Sequence, residues 1–240
     1  MKQYMVEGHL HPKGNSWCGK TEPSDIIKLY KEWGYDAIIV TNHFNRHIYN
    51  DYFVGSKDER LDAFMCSYNE LKNNEQGIKV YFGVEFALKD DYYHFPNNKC
   101  AELLVYGITP DEFKEYALSI IEMDYKDIKP LCEERGWLVF QAHPFREHTK
   151  RISPSLLHGV ETFNGNPRHI NRNVRAHGYQ KLHKLLEVVG SDFHMAHDLS
   201  SAMLFNKLPN DEKELVQVLK NHDFDTLRGR KAIKRYIKQK

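Results

Sequence analysis

Features typical of membrane-spanning, secreted and multi-module proteins are absent from the sequence. No window approaches about 18 consecutive apolar residues, and the mean hydropathy is −0.65, so no transmembrane span is expected. Residues 1–12 lack the apolar core and the cleavage site of a signal peptide. No internal repeat, charge run or Pro/Ser/Gly-rich linker divides the 240 residues. We therefore predict one domain over 1–240, with its core at about 1–205 and a C-terminal helix and short strand after it.

Cysteine is scarce, and neither sign of charge is in excess. The four cysteines (Cys18, Cys66, Cys100 and Cys132) lie far apart without a CxxC pair, which is typical of reduced thiols in a cytoplasmic protein. Thirty-four Lys and Arg balance 33 Asp and Glu, giving a formal net charge of +1. This balance argues against a polybasic mode of nucleic-acid binding, although local basic patches are compatible with it. No exposed apolar stripe points to an oligomer interface.

Apolar, strand-like stretches alternate with helical patterns along the chain. Strands are predicted at 3–9, 35–43, 79–86, 102–108, 137–144, 159–165, 186–194 and near 225–229. Helices are predicted between Ser24 and Gly34 and at about 58–74, 111–122, 125–136, 167–185 and 210–221, with an interruption at Pro130. Buried strands that alternate with helices indicate parallel βαβ units and an α/β architecture. About seven such units in a chain of this length suit a small (β/α) barrel better than an open sheet.

The ends of the predicted strands carry residue types that bind metal ions. Seven imidazoles and carboxylates occupy these positions: His9, His11, His43, Glu85, His143, Asp192 and His194, and an eighth, Glu102, begins the fourth strand. Because the carboxyl ends of parallel strands meet at one rim, we expect these side chains to lie close together. His9 and His11 are two apart in an extended chain and leave the strand on the same face, as do Asp192 and His194.

A metal cluster is the interpretation that this recurrence favours. Any one of the eight, taken alone, is more often a hydrogen-bonded loop residue or a helix cap. Independent loops have no reason to choose only His, Asp and Glu at nearly every strand end. Imidazoles and carboxylates without a thiolate favour Zn, Mn or Fe over a structural cysteine-bound zinc or a calcium site.

Five motifs in order resemble those of the PHP superfamily, named after polymerase and histidinol phosphatase. They are HLH (9–11), TNH (41–43), GVE (83–85), AHP (142–144) and GSDFH (190–194). The resemblance implies a distorted (β/α)7 barrel with two or three divalent ions at the carboxyl ends of the strands. It also implies hydrolysis of phosphate esters, the activity of most family members.

The resemblance also implies a distribution of ligands. His9, His11, Glu85 and Asp192 look like ligands of one ion, and Glu85 would bridge to a second ion that also takes His143. His43 and His194 look like ligands of a third ion.

Three departures from the family pattern affect this assignment. Asn42 replaces an acid that usually orients a ligand, and Glu102 occupies a usual histidine position, where it can still bind a hard divalent ion. The stretch 12–20 lacks the usual His or Asp for the third ion. Its nearby candidates are Asn15, Ser16 and Cys18, and a weak or absent third ion is the alternative.

The leading hypothesis is a metal-dependent phosphoesterase that hydrolyses a small phosphomonoester through a metal-bound hydroxide at a dinuclear or trinuclear site. Arg146, in the HPFR sequence after His143, is the first choice for a phosphate clamp, with a solvated loop cation as its alternative. Arg168 is a second candidate for substrate binding. We expect His194 and Arg146 to take part in catalysis.

Two other functions and one aromatic segment stay open. A nuclease acting on nucleic-acid ends is the alternative enzyme, although the near-neutral charge counts against the basic groove that it requires. A non-catalytic, metal-binding PHP module is the other alternative. The segment 92–95 (YYHF) is expected to pack locally, with a lid over a ring-bearing substrate as its alternative.

Overall fold

A computed structural model of the protein describes residues 2–89 and 100–239. The strands are β1 (Tyr4–Leu10), β2 (Ala37–Phe44), β3 (Lys79–Ala87), β4 (Glu102–Tyr106), β5 (Leu138–Gln141), β6 (Gly159–Asn164), β7 (Leu186–Gly190), β8 (Ser201–Phe205) and β9 (Phe224–Arg228). The helices are α1 (Pro23–Glu32), α2 (Lys57–Asn73), α3 (Pro110–Ile120), α4 (Tyr125–Arg135), α5 (Asn173–His183), α6 (Glu212–Asn221) and α7 (Arg230–Ile237). The aromatic segment 92–95 lies outside the described residues.

The strands form one sheet in the order β7-β6-β5-β4-β3-β2-β1-β8-β9. The pairs β1–β2, β2–β3, β5–β6 and β6–β7 are parallel, as expected for βαβ units. The expectation of parallel strands is wrong for β4, which runs antiparallel to both β3 and β5. This reversal places the start of β4 at the rim where its neighbours end, because Glu102 pairs with Ala87, the last residue of β3.

Strand β1 closes the sheet by pairing differently along its two halves. Its first half pairs antiparallel with β8, from Tyr4 opposite Phe205 onward. A register shift follows within β1, and Leu10 then forms a parallel bridge with Phe193, just after β7. The Phe193 carbonyl accepts from the His11 amide at 2.8 Å, and the Phe193 amide donates to the His9 carbonyl at 3.1 Å. The nearly closed sheet confirms the prediction of a distorted (β/α) barrel.

Most of the strands are buried on both faces, which explains their largely apolar sequences. In β2, Ile39 belongs to a buried cluster inside the barrel, whereas its neighbours Ile38 and Val40 pack against the outer helices. Helix α6 adds Leu215 and Leu219 to the inner cluster. The inside of the barrel is thus a packed core, and the polar site is confined to its rim.

Four features of the structure differ from the prediction. Strand β8 and helix α7 were not predicted, and α4 continues through Pro130 without interruption. The helix expected from 167 begins only at Asn173, because Asn171 and Asn173 donate side-chain hydrogen bonds to the carbonyl of Asn164 and hold the preceding loop against β6. Across 2–89 and 100–239, no helix is both long enough and apolar enough to cross a membrane.

Candidate metal centre

All eight strand-end residues predicted as ligands lie together at one rim of the barrel. Six of them are at least about nine-tenths buried: His9, His11, Glu85, His143, Asp192 and His194. His43 and Glu102 line the more open side, with side chains 13% and 19% exposed. The convergence expected from parallel strand ends is therefore present. The role of each residue as a ligand stays a prediction.

Glu85 lies at the centre of the cluster. Its Oε2 is 3.3 Å from the Nε2 atoms of both His9 and His11, and 2.8 Å from Nδ1 of His43. Its Oε1 is 3.4 Å from Nε2 of His143. A carboxylate that faces four imidazoles through both oxygens has the geometry expected of a bridging ligand.

Asp192 and Glu102 complete the carboxylates on opposite sides of Glu85. Asp192 Oδ1 is 3.3 Å from Nε2 of His11, and its Oδ2 accepts from Nη2 of Arg146 at 2.5 Å. Glu102 lies 3.5 Å from Nδ1 of His43 and 3.4 Å from Nε2 of His143. The substitution of Glu for the family's usual histidine therefore still directs a ligand-type oxygen into the cluster.

Several buried atoms of the cluster make no well-aligned hydrogen bond within the fold. Among the described residues they are Nε2 of His9, both ring nitrogens of His11, both carboxylate oxygens of Glu85 and Nδ1 of His143, although Oε2 of Glu85 lies close to Nδ1 of His43. Buried polar atoms left unpaired cost free energy, on the order of 1–3 kcal/mol each. A group of such atoms facing one another fits a site built to hold cations.

Three sets of side chains have their ligand atoms within 4.8 Å of one another. They are His9, His11 and Asp192; His43, Glu85 and Glu102; and His11, His43 and His194. Each set has the size of a binding site for one ion, and the sets share members, as in a polynuclear centre.

Two histidines have their proton fixed on Nδ1 by an acceptor. Nδ1 of His9 is 3.0 Å from Oε1 of Glu161, and Nδ1 of His194 is 2.9 Å from the backbone oxygen of Asp192. Because both partners are acceptors, each Nδ1 donates and each Nε2 keeps its lone pair for an ion.

The electrostatics of the cluster depend on burial and on the opposing charges. Burial raises the pKa of Glu85, but the imidazoles of His9 and His43 hold it well below its usual range. Burial likewise works against ionised Asp192, whose pKa the Arg146 guanidinium and His9 keep well below its usual range. In contrast, burial and the Glu85 carboxylate raise the pKa of Glu102. The cluster therefore holds at least two carboxylates in their metal-binding, ionised form.

Glu161 in β6 was not recognised from the sequence. Besides bonding to His9, it accepts from the backbone amide of His143 at 2.8 Å and from Nδ2 of Asn164 at 2.9 Å, both through Oε2. It thus orients two candidate ligands that come from β1 and from the loop after β5. A charged residue within an otherwise apolar strand was the available signal, and Glu7, two residues before His9, is a second example.

The backbone is strained where it delivers ligands. His143 and Asp192 have φ angles of 27° and 50°, in the left-handed region that non-glycine residues rarely adopt. Two residues before Asp192, Gly190 allows β7 to approach β1 closely, since a Cβ atom there would lie 2.2 Å from Cβ of His9.

The two arginines predicted to bind substrate are both tied to the site by carboxylates. Arg146 bonds to Asp192 and also to Asn164 and Asn171, and its side chain stays 14% exposed. Arg168 pairs with Oδ2 of Asp198 at 3.1 Å, with its side chain one-third exposed. Arg146 thus borders the cluster directly, whereas Arg168 lies beside it.

The residues that depart from the family pattern point in different directions. The side chain of Asn42 bonds to Ser67 in α2 and faces away from the cluster. In the loop after β1, Asn15 is also bonded to Ser67, and Ser16 is bonded to the thiol of Cys18. Burial raises the pKa of that thiol, but His43 and His194 lower it to about 5.

A family model described as the PHP domain matches residues 7–222, a stretch that contains the whole cluster. The chain belongs to the PHP domain family. The resemblance carried by the five motifs is thereby confirmed, and so is the expected barrel.

Relatives of the PHP chain include much longer proteins. A PolC-type DNA polymerase III of Latilactobacillus sakei is 27% identical over 124 residues, which cover 49% of this chain and 7% of the polymerase. The corresponding polymerase of Thermotoga maritima is 33% identical over 86 residues, covering 36% of this chain and 5% of the polymerase. This chain therefore spans only a small part of the length of these relatives.

A solved structure shares the fold. It is a two-domain protein from Bacteroides vulgatus that contains a predicted PHP-like metal-dependent phosphoesterase. The likeness has a TM-score of 0.61 at 16% identity and covers 95% of this chain and 65% of the other.

Proposed function

We propose that the protein is a metal-dependent phosphoesterase that hydrolyses a small phosphomonoester. The observation that carries the proposal is the set of buried, unpartnered imidazole and carboxylate atoms that face one another around Glu85. Family membership and the fold shared with a PHP-like phosphoesterase support the same reaction class.

The eight cluster residues would hold two or three divalent ions of Zn, Mn or Fe. Such ions, when bound, lower the pKa of a coordinated water and neutralise the oxygens of a phosphoryl group. The protein's own part is positioning. Glu161 holds His9, the backbone carbonyl of Asp192 holds His194, and Arg146 holds the Asp192 carboxylate.

Arg146 is our candidate phosphate clamp. Its guanidinium is fixed by Asn164, Asn171 and Asp192, so it is pre-oriented and loses little freedom when it binds a phosphoryl oxygen. The Arg146→Lys variant tests this role. We expect a higher KM for phosphomonoester with unchanged metal content, since a lysine retains a charge near Asp192 but lacks the planar fork. Unchanged KM would assign Arg146 to the support of Asp192 alone.

A nuclease acting on nucleic-acid ends is the second candidate function, and one surface feature favours it. A cleft of about 650 Å³ adjoins Arg146 and is lined by Lys150, Arg151, Arg172 and Arg175. Arg151 and Arg175 are exposed, which suits contact with further phosphates of an extended substrate. The partial similarity to PolC-type polymerases gives this candidate weak additional support.

Metal analysis paired with turnover tests the proposal. We expect two or more metal ions per chain, Mn²⁺-stimulated hydrolysis of p-nitrophenyl phosphate, and loss of that activity in His143→Ala. Metal without turnover on a panel of phosphomonoesters would favour the nuclease or a non-catalytic module. Absence of metal under every loading condition would overturn the metal centre itself.

An oligonucleotide assay separates the two enzymatic candidates. Arg151→Ala combined with Arg175→Ala should leave p-nitrophenyl phosphate hydrolysis unchanged in either case. Loss of activity on a short, 5′-phosphorylated oligonucleotide in this double variant would favour the nuclease.

A further inference from the structure

Asp198 lies in the loop between β7 and β8, four residues after His194, and its side chain is fully buried. Its Oδ2 accepts from the backbone amide of His194 at 3.0 Å and from that of Met195 at 3.1 Å. The same oxygen accepts from Nη2 of Arg168 at 3.1 Å. One buried oxygen therefore closes the turn after His194 and joins this turn to the loop after β6.

His194 is the candidate ligand that the turn carries. Its carbonyl accepts from the Lys20 amide at 2.9 Å, and its Nδ1 donates to the Asp192 carbonyl at 2.9 Å. Together with the bond from its amide to Asp198, these contacts fix both the backbone and the ring of His194. The partners contributed by Lys20 and Asp192 are backbone groups, whereas the bond to Asp198 depends on a charged side chain that a substitution can remove.

Arg168 is the cation that balances this carboxylate. A buried carboxylate is costly without an opposite charge, and removal of one partner from a buried pair costs more than replacement of both. Arg168 keeps one-third of its side chain exposed, and its backbone amide donates to Oδ1 of Asn166 at 3.0 Å. The ion pair thus connects the loops after β6 and β7, with its buried end at Asp198.

The oxygens of Asp198 face the turn and not the candidate ion sites. Among residues 2–89 and 100–239, none of the three sets of candidate ligands includes Asp198. Oδ2 is engaged by the two amides and Arg168, and Oδ1 lies 3.5 Å from Nε2 of His197, whose side chain is exposed. The contacts of Asp198 therefore suit a role that acts through His194.

We propose that Asp198 is a positioning residue that fixes His194 for metal binding, and that Arg168 serves by neutralising Asp198 and not by binding substrate. The proposal rests on the proposed metal centre, because His194 is one of its eight residues. The alternative for Arg168 is the substrate-binding role expected from the sequence. The two roles predict opposite results for metal affinity and KM.

Two substitutions of Asp198 separate positioning from a direct role of its charge. Asp198→Ala leaves two backbone amides without their acceptor, and we expect metal binding to weaken about 10–100-fold in a chelator competition. Asp198→Asn keeps an oxygen for both amides and should retain an affinity close to that of wild type. Asp211→Ala is the matched control, since Asp211 also accepts a backbone amide, that of Glu214 at 2.8 Å, but at the start of α6. It should lower the Tm and leave metal affinity unchanged.

Arg168→Met tests the charge balance. On its own it should weaken metal binding about tenfold, because the Asp198 carboxylate is left buried without its cation. In the Asp198→Asn background the same substitution should have little effect on metal affinity, since no charge remains to be neutralised. A substrate clamp predicts another pattern, namely a higher KM for phosphomonoester in both backgrounds with unchanged metal affinity.

The outcomes separate this proposal from the one on which it rests. Wild-type metal affinity in a folded Asp198→Ala protein, or equal losses in the Ala and Asn variants, would overturn the positioning role. So would an additive loss when Asp198→Ala is combined with His194→Ala, because Asp198 would then not act through His194. The clamp pattern would overturn the part assigned to Arg168. If Asp198→Ala does not fold, the Asn and Met variants decide. Failure of the wild-type protein to bind metal would overturn both proposals.

Discussion

Glu161→Gln is the substitution that most directly tests how the centre is built. Oε1 of Glu161 accepts from Nδ1 of His9 at 3.0 Å, while Oε2 accepts from the His143 amide at 2.8 Å. Glutamine has one acceptor oxygen and one donor nitrogen in nearly the same volume. In the wild type, both His9 Nδ1 and the His143 amide donate to a carboxylate oxygen. In either orientation of the glutamine amide, one of these two donors will face its NH₂ group and lose its acceptor.

The expected magnitude follows from these contacts. Loss of a carboxylate that orients a metal-binding histidine lowers metal affinity about 10–100-fold, or about 1.4–2.7 kcal/mol. A buried donor left without its acceptor also lowers the free energy of unfolding by about 1–3 kcal/mol. We therefore expect Glu161→Gln to fold with a lower Tm and to bind its most tightly held metal ions at least about tenfold more weakly than wild type does.

Competition with a chromophoric chelator measures the metal affinity, and circular dichroism measures the Tm. The matched control is Glu187→Gln on the neighbouring strand β7. Glu187 accepts from Thr162 and pairs with Arg228 at 2.8 Å, away from the candidate ligands. The control should keep wild-type metal affinity. Wild-type affinity in a folded Glu161→Gln protein would refute the view that Glu161 positions His9 for an ion.

Two further predictions concern the residues that support the cluster. Burial raises the pKa of Glu7 from 4.5 to about 7, so the folded state takes up a proton between these values and loses stability as the pH rises through them. Removing this buried ionisation by Glu7→Gln should therefore stabilise the metal-free protein near pH 8 by about 3 kcal/mol of unfolding free energy. This corresponds to a Tm roughly 6–12 °C above that of wild type near pH 8, with little difference near pH 4.5. A difference in Tm that does not change with pH would contradict this. Gly190→Ala should lower both the stability and the metal affinity, because its Cβ would lie 2.2 Å from Cβ of His9. The control is Gly178→Ala in α5, which has open space around it and should stabilise the fold by up to about 1 kcal/mol. Equal effects of the two alanines on chelator competition and Tm would contradict the close approach of β1 and β7.

The long buried strands could be predicted well from sequence, because a strand buried on both faces has a nearly continuous apolar sequence. The stretch predicted at 79–86 becomes Lys79–Ala87, and that at 35–43 becomes Ala37–Phe44. Strand β8 (Ser201–Phe205) is short, and it is a strand because it pairs with β1 and β9, which local sequence does not encode. The direction of β4 is also set by its partners and not by its own residues.

The candidate site also contains residues that could be predicted from the sequence and residues that could not. The rule that strand ends converge was enough to select seven of the eight residues that the structure brings together. Glu102 begins its strand, and it reaches the same rim because β4 runs antiparallel to its neighbours. Glu161 and Glu7 were missed because their roles depend on which neighbours a strand receives. Glu7, for example, accepts from the amides of His9 and Ser191, which are 182 residues apart in sequence and meet only when β1 closes against β7.

The irregular features of the barrel are the ones that assemble the cluster. The register shift in β1 turns His9 and His11 toward the segment after β7, and the reversal of β4 brings Glu102 to the rim. Positive φ angles then direct His143 and Asp192 inward. The positive φ angles cost conformational free energy. Buried ring atoms of His9, His11 and His143 make no well-aligned hydrogen bond among the described residues, and Asp192 is paired with Arg146. Because bound cations would offset these costs only in the folded state, metal binding and folding stability should be linked in this protein.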